Sequence, residues 1–385
     1  MPTVADPGVS AGTEAPARRA ERRRRPEGRG PLALVIKIAS FAVALFLFVL
    51  AIQLMKEGAK ALAPTLSDSP LFSNAVSTLG AGWLGAYIVL SGSPIAAVAL
   101  SLYVGGAATK LQTFTMLSGS RLGASFVVLL VGFLYSLRNR GRNRGESIGM
   151  GVLALSLTAV VYVPGMLLGY GILKSGMLDG INWSASGDVL SVVDVIWGPA
   201  LDAVTNLPGW TLLPIGLGII LLSFRLLDNV LPQLDGERHG SDKGAWMKRP
   251  WPMFGLGCLV ATLTLSVSVA LTLLVPLASR GYIKREESIP YIMGANITTL
   301  ADTLVAAMIL GSPVAVQIVL AEAIAVSIVS LFYLAFLYGP LTRSIMSLDD
   351  WVVSSNRRLW FFVAILFILP ALFLTSGIWI GPIAH

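Results

Sequence analysis

Residues 293–302 read Met293-Gly294-Ala295-Asn296-Ile297-Thr298-Thr299-Leu300-Ala301-Asp302, a polar island inside long apolar sequence. It carries a carboxylate, an amide and two hydroxyls with almost no balancing charge nearby. Gly294 and Ala295 let backbones approach closely. In lipid, irregular ion-binding backbone exists only where protein or a cavity surrounds it. An acid such as Asp302 at that depth is costly to bury and therefore points to function.

The surroundings bear out a membrane setting. Of 385 residues, 55% are hydrophobic and 13% charged, with mean hydropathy +0.76. A soluble domain carries about one quarter charged residues, so the chain is read as an all-α polytopic membrane protein. Its net charge of +7 is concentrated, with seven basic residues between Arg18 and Arg29. Next to an apolar stretch such a run sets topology, and no nucleic-acid partner is expected. Cys258 is the only cysteine and His239 and His385 the only histidines, which leaves no intrachain disulfide and no structural zinc site.

Taken in order, residues 1–31 read as a disordered basic cytoplasmic tail. Leu32–Met55 is long enough to cross a ~30 Å core. Residues 56–80, with Lys56, Glu57, Lys60, Pro64 and Pro70, read as an amphipathic or re-entrant segment. Gly80–Leu102 is broken at Ser91-Gly92-Ser93-Pro94, which predicts two half-helices. Gly119-Ser120-Arg121 opens an apolar run to Leu137, followed by Arg138, Arg140, Arg142 and Arg144, a cytoplasmic marker. Further spans are expected at Ile148–Leu173, Leu212–Leu227, Pro252–Leu277, Ile289–Leu310, Val314–Leu337 and Leu359–Ile380. The acidic loop 174–208 is placed outside. The loop with Arg238, Lys243, Lys248 and Arg249, and the stretch 341–358, are placed inside. Arg225 and Asp228 lie at a helix end and are expected to reach the interface.

Sliding the chain against itself adds a repeat. At a constant offset of 175 residues, Gly82 falls on Gly257, Ser91 on Ser266, Ser93 on Ser268, Lys110 on Arg285 and Gly119 on Gly294. The basic loops require the two copies to be inverted, the signature of secondary transporters with a site at midplane. The expected organisation is thus 32–173 as repeat one with an extra helix, 174–208 as the extracytoplasmic loop and 209–340 as the inverted repeat two with an extra helix. Residues 341–385 form a cytoplasmic loop and the last span. Re-entrant hairpins or broken helices are expected in each copy.

The two copies bring complementary polar groups. Arg121 offers a permanent cation and a fork of donors suited to an oxyanion. Ser91, Ser93, Ser120, Ser266, Ser268 and Asn296 are expected to complete an anion site around it. Asp302 with Asn296, Thr298 and Thr299 makes an oxygen-only set suited to Na⁺. Competing readings are plain helix packing for the small polar residues and mutual neutralisation of Arg121 and Asp302; Glu322, alone in Val314–Leu337, is read as an interhelical partner ahead of a second coupling residue.

With those residues in view, the sequence resembles the sodium/phosphate cotransporter family. Gly294-Ala295-Asn296-Ile297-Thr298-Thr299 matches a Gly-Ala-Asn-Ile-Gly-Thr-Thr-like motif of that family, with Thr298 in place of a glycine. Gly119-Ser120-Arg121-Leu122-Gly123-Ala124-Ser125 matches it loosely, with Arg121 in the asparagine position. The family's Gln-Ser-Ser-Ser motifs, which line its anion and sodium sites, read Ser91-Gly92-Ser93-Pro94 and Leu265-Ser266-Val267-Ser268 here. Gln53-Leu54-Met55-Lys56-Glu57-Gly58 is similar to the segment entering its first hairpin. The resemblance covers residues 35–340 and implies a symporter of phosphate or a similar small oxyanion with Na⁺, in the cell membrane, with a cytoplasmic N-terminus. No cofactor besides the coupling ion is expected. Alternatives are transport of another substrate, coupling to H⁺ through Asp302, or a non-transporting scaffold or sensor. No nucleophile–base pair suggests an enzyme. A homo-oligomer is compatible with all of these.

Overall fold

The computed structural model describes residues 31–138, 144–183, 187–204, 207–230, 249–264, 266–279 and 283–380. Of the expected tail 1–31, residues 1–30 lie outside them, while Pro31 starts the first helix, and residues 231–248 of the basic loop lie outside them as well. The described residues are helical, with no strand. In chain order the helices are α1 (Pro31–Ser67), α2 (Ala75–Val89), α3 (Gly92–Val104), α4 (Lys110–Ala124), α5 (Phe126–Arg138) and α6 (Arg144–Lys174). Then come α7 (Gly187–Asp202), α8 (Gly209–Val230), α9 (Pro250–Thr264), α10 (Val267–Thr272), α11 (Leu274–Ser279) and α12 (Arg285–Thr298). The last are α13 (Leu300–Ile309), α14 (Pro313–Phe336), α15 (Tyr338–Val353), α16 (Asn356–Leu374) and α17 (Ser376–Trp379). Seven stretches are long and apolar enough to span a membrane, and exposed apolar side chains such as Leu167, Phe336, Trp360 and Phe361 face outward from them. The protein is an all-α polytopic membrane protein.

Several sequence expectations need correction. The segment after Met55 is no separate amphipathic or re-entrant piece, because α1 runs unbroken to Ser67 with Pro64 inside it. Gly119-Ser120-Arg121 does not open a span. It lies in the last turns of α4, which starts at Lys110. The acidic loop contains α7 over Gly187–Asp202, and 341–358 is largely the helix α15. Pro252–Leu277 and Ile289–Leu310 are each broken, at the α9/α10 and α12/α13 junctions.

The elements themselves repeat. Adding 175 to the bounds of α2 gives those of α9, and α3 maps onto α10 plus α11. α4 and α12 start in register at Lys110 and Arg285, and the breaks after them coincide to within a residue. Local chemistry repeats too. Gln112 and Glu287, both three residues into their helix, reach back to the backbone N–H of Thr109 (2.8 Å) and Lys284 (3.0 Å). Each thereby satisfies an orphan donor at the helix start.

The glycines show why the register is kept. A Cβ on Gly82 would fall against the carbonyl oxygen of Met116, and one on Gly257 against that of Tyr291. A Cβ on Gly119 would meet the carbonyl of Leu79, and one on Gly294 that of Phe254. All four contacts obey the same offset. In each copy two helices cross at backbone contact through reciprocal glycines, the packing that small residues permit in membranes.

α6, 31 residues and about 46 Å long at 1.5 Å per residue, is the axis on which the copies meet. It packs against α4, α5, α11, α12, α14 and α15. Lys110, at the start of α4, pairs with Asp179 just beyond the C-terminal end of α6 (3.7 Å). Arg285, at the start of α12, pairs with Glu146 at the N-terminal end of α6 (3.2 Å). Equivalent helices therefore start at opposite ends of one long helix and run antiparallel.

Candidate functional site

Each copy supplies a short-helix hairpin and a broken helix, and the polar side chains collect where these pieces end. α3 begins after Leu90, which sits in the left-handed region at φ 56°, with Ser91 extended ahead of it. Ser266 holds the matching position and caps α10 by accepting from the Val269 N–H at 3.3 Å. Ser93, which is buried, and Ser268 lie in the first turns of these helices. Ser268 donates to the Leu90 carbonyl of the other copy at 3.3 Å.

Arg121 is 2% exposed in the last turn of α4. Its Nη1 donates to Ser93 Oγ and Thr299 Oγ1, both at 3.3 Å, and its Nη2 donates to Thr303 Oγ1. Nε has no partner. Thr299 is at the α12/α13 break and Thr303 one turn into α13, so a single guanidinium ties the hairpin of one copy to the broken helix of the other. Such a donor fork with an unused N–H fits a planar or tetrahedral oxyanion.

Asp302 Oδ1 accepts from the Thr303 N–H at 2.6 Å and from Thr303 Oγ1 at 3.0 Å. Because Thr303 Oγ1 also accepts from Arg121, its own proton is free for Asp302, and the hydroxyl relays between cation and anion. Oδ2 is buried with no partner. An ion buried out of water costs several kcal/mol unless its remaining lone pairs are used.

A second polar level lies beside the first. Asn296 Nδ2 donates to Thr158 Oγ1 at 3.1 Å, and Thr158 shares a 2.7 Å hydrogen bond with Ser125 at the α4/α5 break. Tyr162, one turn further along α6, donates to the Asn296 carbonyl at 2.9 Å. α6 thus holds both breaks with two side chains. On α14, Glu322 is fully buried and its Oε2 lies 2.9 Å from Ser118 Oγ of α4.

The expected site residues separate accordingly. Arg121, Ser93, Thr299 and Asp302 come together. Asn296 stands in the adjoining level. Ser91, Ser266 and Ser268 lie at the hairpin turns. Ser120 bonds the Leu117 carbonyl (2.7 Å) and Thr298 the Gly294 carbonyl (3.3 Å), each within its own helix. Thr303, Thr158 and Tyr162 were outside the expected set, and Glu322 has the interhelical partner that the sequence reading gave it, Ser118 of α4. The i, i+4 spacing of Thr158 and Tyr162 inside an otherwise apolar span is the signal that finds two of them.

A cavity of about 320 Å³, lined by Arg249, Lys284, Glu286, Glu287, Tyr338 and Thr342, opens at the start of α12, the end opposite Asn296. Among the described residues no group of three or more His, Cys, Asp or Glu side chains could hold a metal ion.

Compared with known proteins, residues 219–370 match the model of the Na⁺/Pi-cotransporter family. No curated protein and no solved structure matches the chain.

Proposed function

We propose that this chain, a member of the sodium/phosphate cotransporter family through residues 219–370, is a Na⁺-coupled symporter of inorganic phosphate or a similar small oxyanion. The observation that carries the reading is the buried Arg121 with a free Nε beside an Asp302 with a free Oδ2, where hairpin and broken helix of opposite copies meet. Arg121 and Ser93 hold the anion. Asp302 and Thr299 hold the coupling ion, and Asn296 fixes the break that bears Thr299 by its tie to α6. Neutralising Asp302 frees Arg121 for the anion, since the two share Thr303. That shared hydroxyl makes cation and anion binding mutually favourable.

The antiparallel copies on α6 supply alternating access, each exposing the same midplane level to its own side. By the positive-inside rule, the arginines at 138–144 and 343–358 support a cytoplasmic Glu146 end of α6 and those at 18–29 a cytoplasmic N-terminus, in the cell membrane. A thermal-shift screen of anions with and without Na⁺ tests the pairing. Stabilisation by phosphate that strengthens in Na⁺ is expected. Stabilisation by a different anion, or indifference to Na⁺, contradicts it.

A further inference from the structure

Two buried carboxylates flank Arg121, and their hydrogen bonds differ in kind. Asp302 receives the Thr303 amide N–H, the Thr303 hydroxyl, whose other side already accepts from Arg121, and the Ser93 hydroxyl. Glu322 has one side-chain neighbour, Ser118 Oγ, at 2.9 Å, and its Oε1 has no partner. Ser118 Oγ also lies 3.0 Å from the Phe114 carbonyl, one turn back on α4. A hydroxyl has a single proton, which serves two acceptors less well than one. A proton on Glu322 gives each contact its own donor: Glu322 donates to Ser118, and Ser118 donates to Phe114.

We propose that Glu322 and Ser118 form a proton site of the transport cycle, separate from the Asp302 cation site. The occupant is H⁺ rather than Na⁺, because a hard metal cation needs several oxygen ligands and the side chains bonded to Glu322 offer one hydroxyl. The inference rests on the transport reading above. Glu322 takes one proton from water on one side when the site opens there and returns it to water on the other. No other bond is made or broken.

The surroundings suit an exchangeable proton. Arg121 of α4 and the Tyr162 hydroxyl of α6 face Glu322 electrostatically. α13 brings Asp302, which lies beyond Arg121, and α3 and α12 bring the neutral Ser93, bonded to Arg121, and Asn296, bonded to Thr158. α15 joins α14 at Leu337, about four turns past Glu322. One cation and two carboxylates leave an excess negative charge, which the proton on Glu322 removes. When that proton leaves, Glu322 competes with Asp302 and the anion for Arg121, so proton loss and anion release go together. Buried intramembrane acids serve proton relays in this way.

Infrared difference spectroscopy on the full-length protein reads the proton without reference to transport. The carbonyl stretch of a protonated carboxyl, shifted by exchange into D₂O, is expected in the native protein and in Asp302→Asn. It should vanish in Glu322→Gln and move in Ser118→Ala, the variant that keeps the carboxyl. A band untouched by both Glu322→Gln and Ser118→Ala overturns the assignment. In proteoliposomes, an inward proton gradient should raise phosphate uptake driven by Na⁺, and Glu322→Gln should lose that increment while retaining the Na⁺-driven part. Na⁺-driven uptake that ignores the proton gradient in the native protein overturns the role in the cycle. Absence of any phosphate uptake overturns the symport reading instead, and the infrared band still decides whether Glu322 holds a proton.

Discussion

Arg121 reaches Asp302 through the Thr303 hydroxyl, which accepts from the guanidinium and donates to the carboxylate at 3.0 Å. The two charges therefore do not cancel as a closed ion pair, and each keeps one polar atom unused. Thr303→Val preserves the shape and removes the relay. A hydrogen bond to a charged group is worth about 1.5–3 kcal/mol. The gain in anion affinity that Na⁺ brings should thus fall by about 10- to 100-fold, while Thr303→Ser restores it. Phosphate-induced thermal stabilisation, titrated with both variants with and without Na⁺, is the check. An equal gain in Thr303→Val and the native protein would exclude the relay.

The reciprocal glycine crossings make a second prediction. Gly119→Ala and Gly294→Ala each place a methyl against a backbone carbonyl of the crossing helix. Overpacking of a tight core costs about 1–3 kcal/mol, and both variants should lower the unfolding temperature by similar amounts. Gly218→Ala, where a Cβ meets nothing within 4 Å, should leave it unchanged or raise it. Thermal unfolding in one detergent compares the three.

The Arg285 cluster predicts a pH dependence. Asp349 on α15 is fully buried, and burial pushes its carboxyl up to about 7 against the pull of Arg285, with Asp350 and Glu146 adding to the rise. The folded protein thus holds the Asp349 proton more tightly than the unfolded chain, whose carboxylate titrates at about 3.9. That contribution to stability is fully present below the unfolded value and is lost as pH rises towards 7. Asp349→Asn should flatten the decline of unfolding temperature between pH 5 and 7. Arg285→Ala at pH 8 should cost more, about 3–5 kcal/mol, because it strands a buried charge. An Asp349→Asn profile parallel to the native one would refute the assignment.

Much of this was legible in the sequence because the repeat is recorded in residues with hard steric roles. Gly82, Gly119, Gly257 and Gly294 recur at one offset since only glycine fits each crossing, and Ser91 and Ser266 recur because each precedes the second hairpin helix. Arg121 and Asp302 stood out because charge inside apolar sequence is costly. Thr303 did not, since nothing in its apolar run says which hydroxyl faces a neighbour, and Thr158 and Tyr162 are marked only by their i, i+4 spacing. Ser120 and Thr298, chosen for their places in the motifs, spend their hydroxyls on their own helices. The unbroken course of α1 through Lys56, Glu57 and Lys60 was equally hidden. Glu57 and Lys60 pair with each other at 2.7 Å, so the polar interruption breaks nothing.

In the proposed function, Arg121 and Asp302 serve one coupled anion–cation site. Uptake of labelled phosphate into proteoliposomes under an imposed Na⁺ gradient tests it most directly. The native protein should accumulate phosphate only with Na⁺ outside, and Arg121→Ala and Asp302→Asn should each abolish accumulation. Folded native protein that shows no Na⁺-stimulated uptake, or uptake that survives both substitutions, would contradict the claim.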